Sequence, residues 1–192
     1  MKIIAFGDIH ERLKIFNLLE QEISSADLVI ISGDLTQFGN EERAAGVVKA
    51  VRGINPNILA QAGNLDSLEI DRYLTREGIN IHGRGRIIEE VGIFGCGGSG
   101  ATPFHTPVEF TEAELKGFLE SGFNDIQDAA LKIMICHTPP LNTGVDMIPS
   151  GAHVGSAAVR EFIENHQPDL CITGHIHESK GEDAIGKTKI IN

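Results

Sequence analysis

The sequence predicts an α/β fold with more than one sheet, and three observations carry that prediction. Short apolar runs alternate with segments of helical periodicity over the first third of the chain. The pattern then changes to short β-favouring runs separated by one or two turn residues, which reads as antiparallel hairpins. Strand–helix alternation returns near the C-terminus, so parallel and antiparallel pairings are both expected.

The elements follow in order. Residues 2–7 form an apolar run read as a buried strand, and residues 11–24 place Leu13, Phe16, Leu19 and Ile23 at helical spacing. Residues 28–32 are purely β-favouring. Residues 40–51 read as a helix with an Asn cap and two Glu in its first turn, where they favour the helix dipole. A third strand is expected at 57–61, then a helix at 67–77 stopped by Gly78. Residues 79–82, 86–91 and 93–95 are the hairpin candidates, followed by a long irregular loop at 97–107. Thr111 and Glu114 have capping-box spacing and open a helix at 111–121. A strand at 132–136, a loop at 141–154, a helix at 155–165 and strands at 170–173 and 187–191 complete the chain.

At 192 residues the chain fits one domain spanning 1–192, long enough to bury a core without disulfide or metal staples. With no Trp and one Tyr, that core must be mainly aliphatic. No stretch approaches the roughly 20 apolar residues that cross a bilayer. The N-terminal run is too short for a signal peptide and leads straight into Asp8, so a cytoplasmic location is expected. Cys96, Cys136 and Cys171 are odd in number and contain no C-x-x-C pair, and they read as buried reduced thiols. A net charge of −11 argues against nonspecific binding to a nucleic acid backbone. It leaves a nucleotide substrate open, because two divalent cations would invert the local field.

The chemistry lies where the apolar runs end. Five of them finish in a short polar motif: Gly7-Asp8-Ile9-His10, Gly33-Asp34, Gly63-Asn64-Leu65-Asp66, His137, and Gly174-His175-Ile176-His177. In open α/β sheets ligands bind beyond the carboxyl ends of the strands, so five such ends can converge on one site. Asp and Asn supply oxygen and His supplies imidazole, a mixture that suits borderline divalent ions such as Mn, Fe, Zn or Co better than Ca. The glycine before each motif is expected to give room for a sharp turn out of the sheet. Each motif alone reads as a turn or a surface histidine; their joint occurrence at strand ends does not.

The order D-x-H, G-D, G-N-x-D, H, G-H-x-H resembles the signature of the calcineurin-like metallophosphoesterase superfamily, with motifs spanning Asp8 to His177. The resemblance implies a four-layer α/β/β/α sandwich of two mixed sheets with helices outside. It implies two divalent metal ions (Mn, Fe, Zn, Ni or Co, with Mn favoured). Asp8, His10, Asp34 and His177 would hold one, and Asp34, Asn64, His137 and His175 the other, with Asp34 bridging. The reaction implied is hydrolysis of a small phosphodiester or phosphomonoester by a metal-bridging hydroxide, with Asp34 and Asn64 central to it. A non-catalytic interaction module on the same fold is the rival reading, and retention of every ligand speaks against it.

Leu65 departs from the pattern. Many members carry His there, thought to protonate the leaving oxygen, and leucine donates no proton. His105, in the Gly/Pro loop, and His82, beside Arg84 and Arg86, are the substitutes considered, with His105 placed among the catalytic candidates. His153 reads as a loop residue near the site. The glycine run 95–100 lacks the G-K-[ST] ending of a P-loop and reads as a mobile loop. Arg72, Arg76, Arg84 and Arg86 read as solvated surface, with a seat for a distal phosphate or nucleotide as the alternative. Members of the superfamily commonly continue beyond the position of Asn192 through further strands, so a bare sheet edge is expected if this chain does not.

Overall fold

The computed structural model describes residues 1–192. The first apolar runs become β1 (Ile3–Phe6), β2 (Leu28–Ile31) and β3 (Ile58–Ala60), paired in that order and wholly parallel. Parallel neighbours need crossovers, supplied by α1 (Ile15–Leu18) with α2 (Glu20–Ser24) and by α3 (Glu41–Arg52), while α4 (Leu68–Arg76) follows β3. The second sheet holds β4 (Gly85–Ile88), β5 (Val91–Cys96), β6 (Leu131–Cys136), β7 (Leu170–Ile172), β8 (Glu182–Ile185) and β9 (Thr188–Ile191) in the order β4-β5-β6-β7-β9-β8. Its four inner strands are parallel, and β4 and β8 pair antiparallel at the edges. Helices α5 (Glu112–Asn124) and α6 (Ala157–His166) connect the inner strands.

Side-chain alternation divides the interior into three cores. On β2, Val29 and Ile31 pack with Phe16, Val47, Val51, Ile70 and Leu74 under the first four helices. Leu28 and Ile30 point the other way and meet Ile93 and Ile135 of the second sheet. On β5 and β6, Phe94, Cys96, Met134 and Cys136 face Leu115, Leu119, Val159 and Phe162 of α5 and α6. Three cores between successive layers give helices, sheet, sheet, helices. Cys96, Cys136 and Cys171 are all buried and free, as their apolar runs predicted.

Some local expectations change. Residues 11–24 are not one helix: Glu11 sits at φ 61 and Leu19 breaks α1 from α2. Phe16 and Ile23 are buried as the periodicity required, whereas Leu13 remains 40% exposed. Residues 79–82 form no strand. They make single bridges from Asn80 to Ala60 and from His82 to Gly95, so the segment steps from one sheet to the other. The hairpin turn falls at Glu89 and Glu90, with Glu89 at φ 54, and Val91 therefore opens β5. Edge strand β8 lies in a segment for which no element was expected. The outer edge of β1 pairs with no strand, and beside it opens a cleft of about 1130 Å³ lined by Ala5, Leu18, Ile172 and Ile191 among others.

Candidate metal centre

The polar motifs stand at the carboxyl ends of β1, β2, β3, β6 and β7, three from one sheet and two from the other. Backbone hydrogen bonds continue past the strand ends and lock these loops together. Asp8 N–H donates to Gly33 O and His10 N–H to Asp34 O, both at 3.0 Å. Across the second sheet, His137 N–H donates to Cys96 O at 3.0 Å and Gly174 N–H to His137 O at 3.1 Å.

The sharp turns are taken by the candidate ligands themselves. Asp8, His10, Asp34 and His175 have φ of 50, 47, 49 and 67°. The left-handed region costs a non-glycine residue about 1–2 kcal/mol, and such strain clusters at functional sites. Of the preceding glycines only Gly33 has a positive φ, at 123°; the others serve another purpose. Gly63 has no positive φ, but a Cβ there would collide with the Asp34 carboxylate and backbone. Close approach between loops demands glycine at this position more than the turn does.

The side chains converge in two groups. Asp8 Oδ1 lies 3.0 Å from His177 Nε2, and that nitrogen lies 3.4 Å from His10 Nε2. In the second group Asn64 Oδ1 lies 3.1 Å from His137 Nε2 and 2.8 Å from His175 Nδ1, and His137 Nε2 is 3.6 Å from Asp34 Oδ1. Donor atoms of Asp8, His10 and His177 lie within 4.8 Å of one another, as do those of Asp8, Asp34 and His137. Asp8 is therefore the carboxylate common to both geometric clusters, and Asp34 joins it in the second.

The donor set fits a cation. His137 Nδ1 lies 3.1 Å from the Ser32 carbonyl, a partner that fixes the tautomer and turns Nε2 inward as an acceptor. There it faces the oxygens of Asn64 and Asp34, so lone pairs converge without a donor between them. A proton or a metal ion must fill that place. Burial disfavours charge on His137, but the Asp34 carboxylate outweighs it and lifts the imidazole to about 9. Burial likewise works against the Asp34 carboxylate, yet His137 and the Leu65 N–H bring it below the usual range. Burial and the charge of His137 push His175 down to about 4, so its ring stays neutral and able to ligate. His10 Nδ1 is buried without a partner.

Asp66 is the residue whose part was not foreseen. Fully buried, it accepts from the N–H groups of Leu35, Thr36 and Gly63 at 3.0, 2.9 and 2.9 Å and from Thr36 Oγ1 at 2.8 Å. It thereby clamps the loop after β2 to the loop after β3, holding Asp34 beside Asn64. Burial, then the Asp34 charge, push it up to about 6 against those hydrogen bonds. Arg12 was also missed: its guanidinium donates to the carbonyls of Asp8 at 2.8 Å and Ile9 at 3.2 Å.

Of the other histidines, His82 does not reach the site. Its ring packs on Phe110 and Phe118 with centroids 5.4 and 4.2 Å away, and its Nδ1 accepts from Gly97 N–H. Burial lowers its pKa, as expected for a neutral packing residue. His105 is exposed on the 97–107 loop, and its ring makes no hydrogen bond. His153 binds the buried carboxylate of Asp146 at 2.6 Å and ties the 141–154 loop to itself.

The model of the calcineurin-like phosphoesterase family matches residues 1–179. The chain belongs to this family. An uncharacterized protein of Methanocaldococcus jannaschii is 32% identical over 198 residues, covering all of this chain and 87% of the relative. A solved Thermus thermophilus structure aligns with 98% of this calcineurin-like phosphoesterase and 87% of its own chain, at TM-score 0.74 and 19% identity. Another solved structure aligns with the whole chain and 89% of its own, at TM-score 0.77 and 20% identity. These likenesses establish the fold, and the family gives the general activity, metal-dependent hydrolysis of phosphate esters.

Proposed function

We propose that this calcineurin-like phosphoesterase holds two divalent cations in the pocket of Asp8, His10, Asp34, Asn64, His137, His175 and His177 and hydrolyses a small phosphodiester or phosphomonoester. The observation that carries the reading is the convergence of oxygen and imidazole ligand atoms, His137 Nε2 lying 3.1 Å from Asn64 Oδ1 and 3.6 Å from Asp34 Oδ1. Bound at these ligands, the two ions supply a water of lowered pKa and positive charge for the phosphoryl oxygens. Manganese suits the mixed oxygen and imidazole set.

The chain's own residues prepare that chemistry. The Ser32 carbonyl holds the His137 ring in one orientation, and Asp66 holds Asp34 and Asn64 at fixed separation. His105 is the histidine offered for protonating the leaving oxygen. Its loop is fastened at the site, because Val108 N–H donates to Asn64 O at 3.1 Å. Ligands from both sheets make residues 1–192 one working unit, and three buried free thiols suit a reducing, cytoplasmic setting. The substrate is a small phosphorylated compound, since the acidic chain offers no basic groove for nucleic acid.

Manganese-loaded protein is expected to hydrolyse bis-p-nitrophenyl phosphate or p-nitrophenyl phosphate, and Asn64→Ala or His137→Ala to lower turnover at least about 100-fold. Loaded protein that cleaves neither ester, nor any cyclic nucleotide, would end the enzyme reading. Equal turnover by His105→Ala would remove that residue's role alone.

A further inference from the structure

Resting on the proposed metal binding, we infer that Gln61 is a positioning residue of the metal centre: its buried amide bridges the two sheets and fixes the ligand His137 from behind. Gln61 directly follows β3 and lies on the same face as Leu59, so its side chain enters the core between the sheets. That core is otherwise aliphatic, built from Leu28, Ile30, Leu59, Ile81, Ile93 and Ile135. Gln61 is wholly buried in it. A primary amide there loses its water and packs no better than Leu or Met, so its presence calls for hydrogen-bond partners.

The partners are the two carbonyls that hold His137. Gln61 Nε2 donates to Ser32 O at 3.3 Å and to Cys96 O at 3.1 Å, which engages both of its hydrogens. Ser32 directly follows β2 in one sheet, and Cys96 ends β5 in the other. Ser32 O also faces His137 Nδ1 at 3.1 Å, and Cys96 O accepts from the His137 backbone N–H at 3.0 Å. One amide therefore sets the place of both the ring and the backbone of this ligand. Such a group acts on the ion through the ligand it orients, without meeting the ion itself. The rest of the side chain fits this role. Gln61 Oε1 is buried without a partner. Turning the amide over would instead set that oxygen against two carbonyl oxygens. A Cβ on Gly95 would collide with Oε1, so glycine within β5 leaves the space that the amide occupies.

The test uses Gln61→Met, which keeps the length of the side chain and removes both donors, with Gln61→Leu as a second apolar replacement. By calorimetric titration, Mn²⁺ affinity at one of the two sites is expected to fall about 10- to 100-fold. The visible absorption of Co²⁺-loaded protein should change with it, because the His137 imidazole meets the ion at another angle. Urea unfolding of the metal-free variants separates these effects from a loss of stability alone. Unchanged affinity and an unchanged Co²⁺ spectrum in a folded variant would overturn the proposal, whatever its stability. If the unaltered protein binds neither ion, the metal reading fails by itself, and NMR of metal-free protein decides the bridge. There the His137 Nδ1 proton should exchange with water about tenfold faster in Gln61→Met, measured against core amides. An equal rate would contradict the bridge, as would Gln61 side-chain amide protons that exchange like exposed ones in the unaltered protein.

Discussion

His137 shows how much the centre depends on single atoms. Its Nδ1 rests on the Ser32 carbonyl and its Nε2 faces Asn64 and Asp34, so one ring joins the two sheets and completes the acceptor cluster. Its candidacy was legible because it follows an apolar run and carries a ligating group. Asp66 was not legible in this sense. Although it closes the Gly-Asn-x-Asp motif, its four partners are three backbone N–H groups and one hydroxyl, which leave no trace in residue identity. Asp66→Ala should lower the stability of metal-free protein by about 3 kcal/mol in urea unfolding, since buried donors lose their acceptor. It should also weaken Mn²⁺ binding about 10- to 100-fold, as expected when the groups that orient ligands are removed. Unchanged metal affinity would show that Asp66 does not position the ligands.

Capping explains which elements the sequence reported faithfully. Thr111 and Glu114 form the reciprocal box that their spacing announced, and the Asn40 side chain accepts from Arg43 N–H. Thr111→Ala should cost about 1 kcal/mol in thermal or denaturant unfolding. Where strain rather than capping sets the chain, the reading failed: Glu11 is left-handed, so the helix of the first crossover begins only at Ile15 and is broken again at Leu19. Strand β8, Glu-Asp-Ala-Ile, is polar at an edge and has little periodicity to announce it. The 141–154 loop is organised by Asp146, which accepts from the N–H groups of Asn142, Thr143 and Gly155 and binds His153. Burial works against its charge, but His153 and these N–H groups bring its pKa below the usual carboxylate value. A depressed carboxylate stabilises the fold above its unfolded pKa and loses that contribution as pH falls through the folded value. Asp146→Asn should therefore lower the unfolding midpoint at pH 7, with the difference shrinking below about pH 4. A pH-independent difference would place its effect in packing instead.

At the scale of the molecule, three interlayer cores align two sheets so that five strand ends meet. The α/β class, both sheets and the meeting of the polar motifs were readable, because apolar runs of strand length end in chemistry. The exposure of Phe38 and Phe104 was not, since it depends on turns that periodicity does not encode. The proposed ligands come from both sheets, which would make metal binding a property of the folded chain. Mn²⁺ at about 100 times its dissociation constant should thus stabilise the protein by about 2.7 kcal/mol per site. The most direct measurement is the number of Mn²⁺ ions retained per chain, by elemental analysis after loading and dialysis. Two ions in the unaltered protein, falling to one in His137→Ala, are the predicted result. Fewer than two in the unaltered protein, or two retained by that variant, would contradict the account.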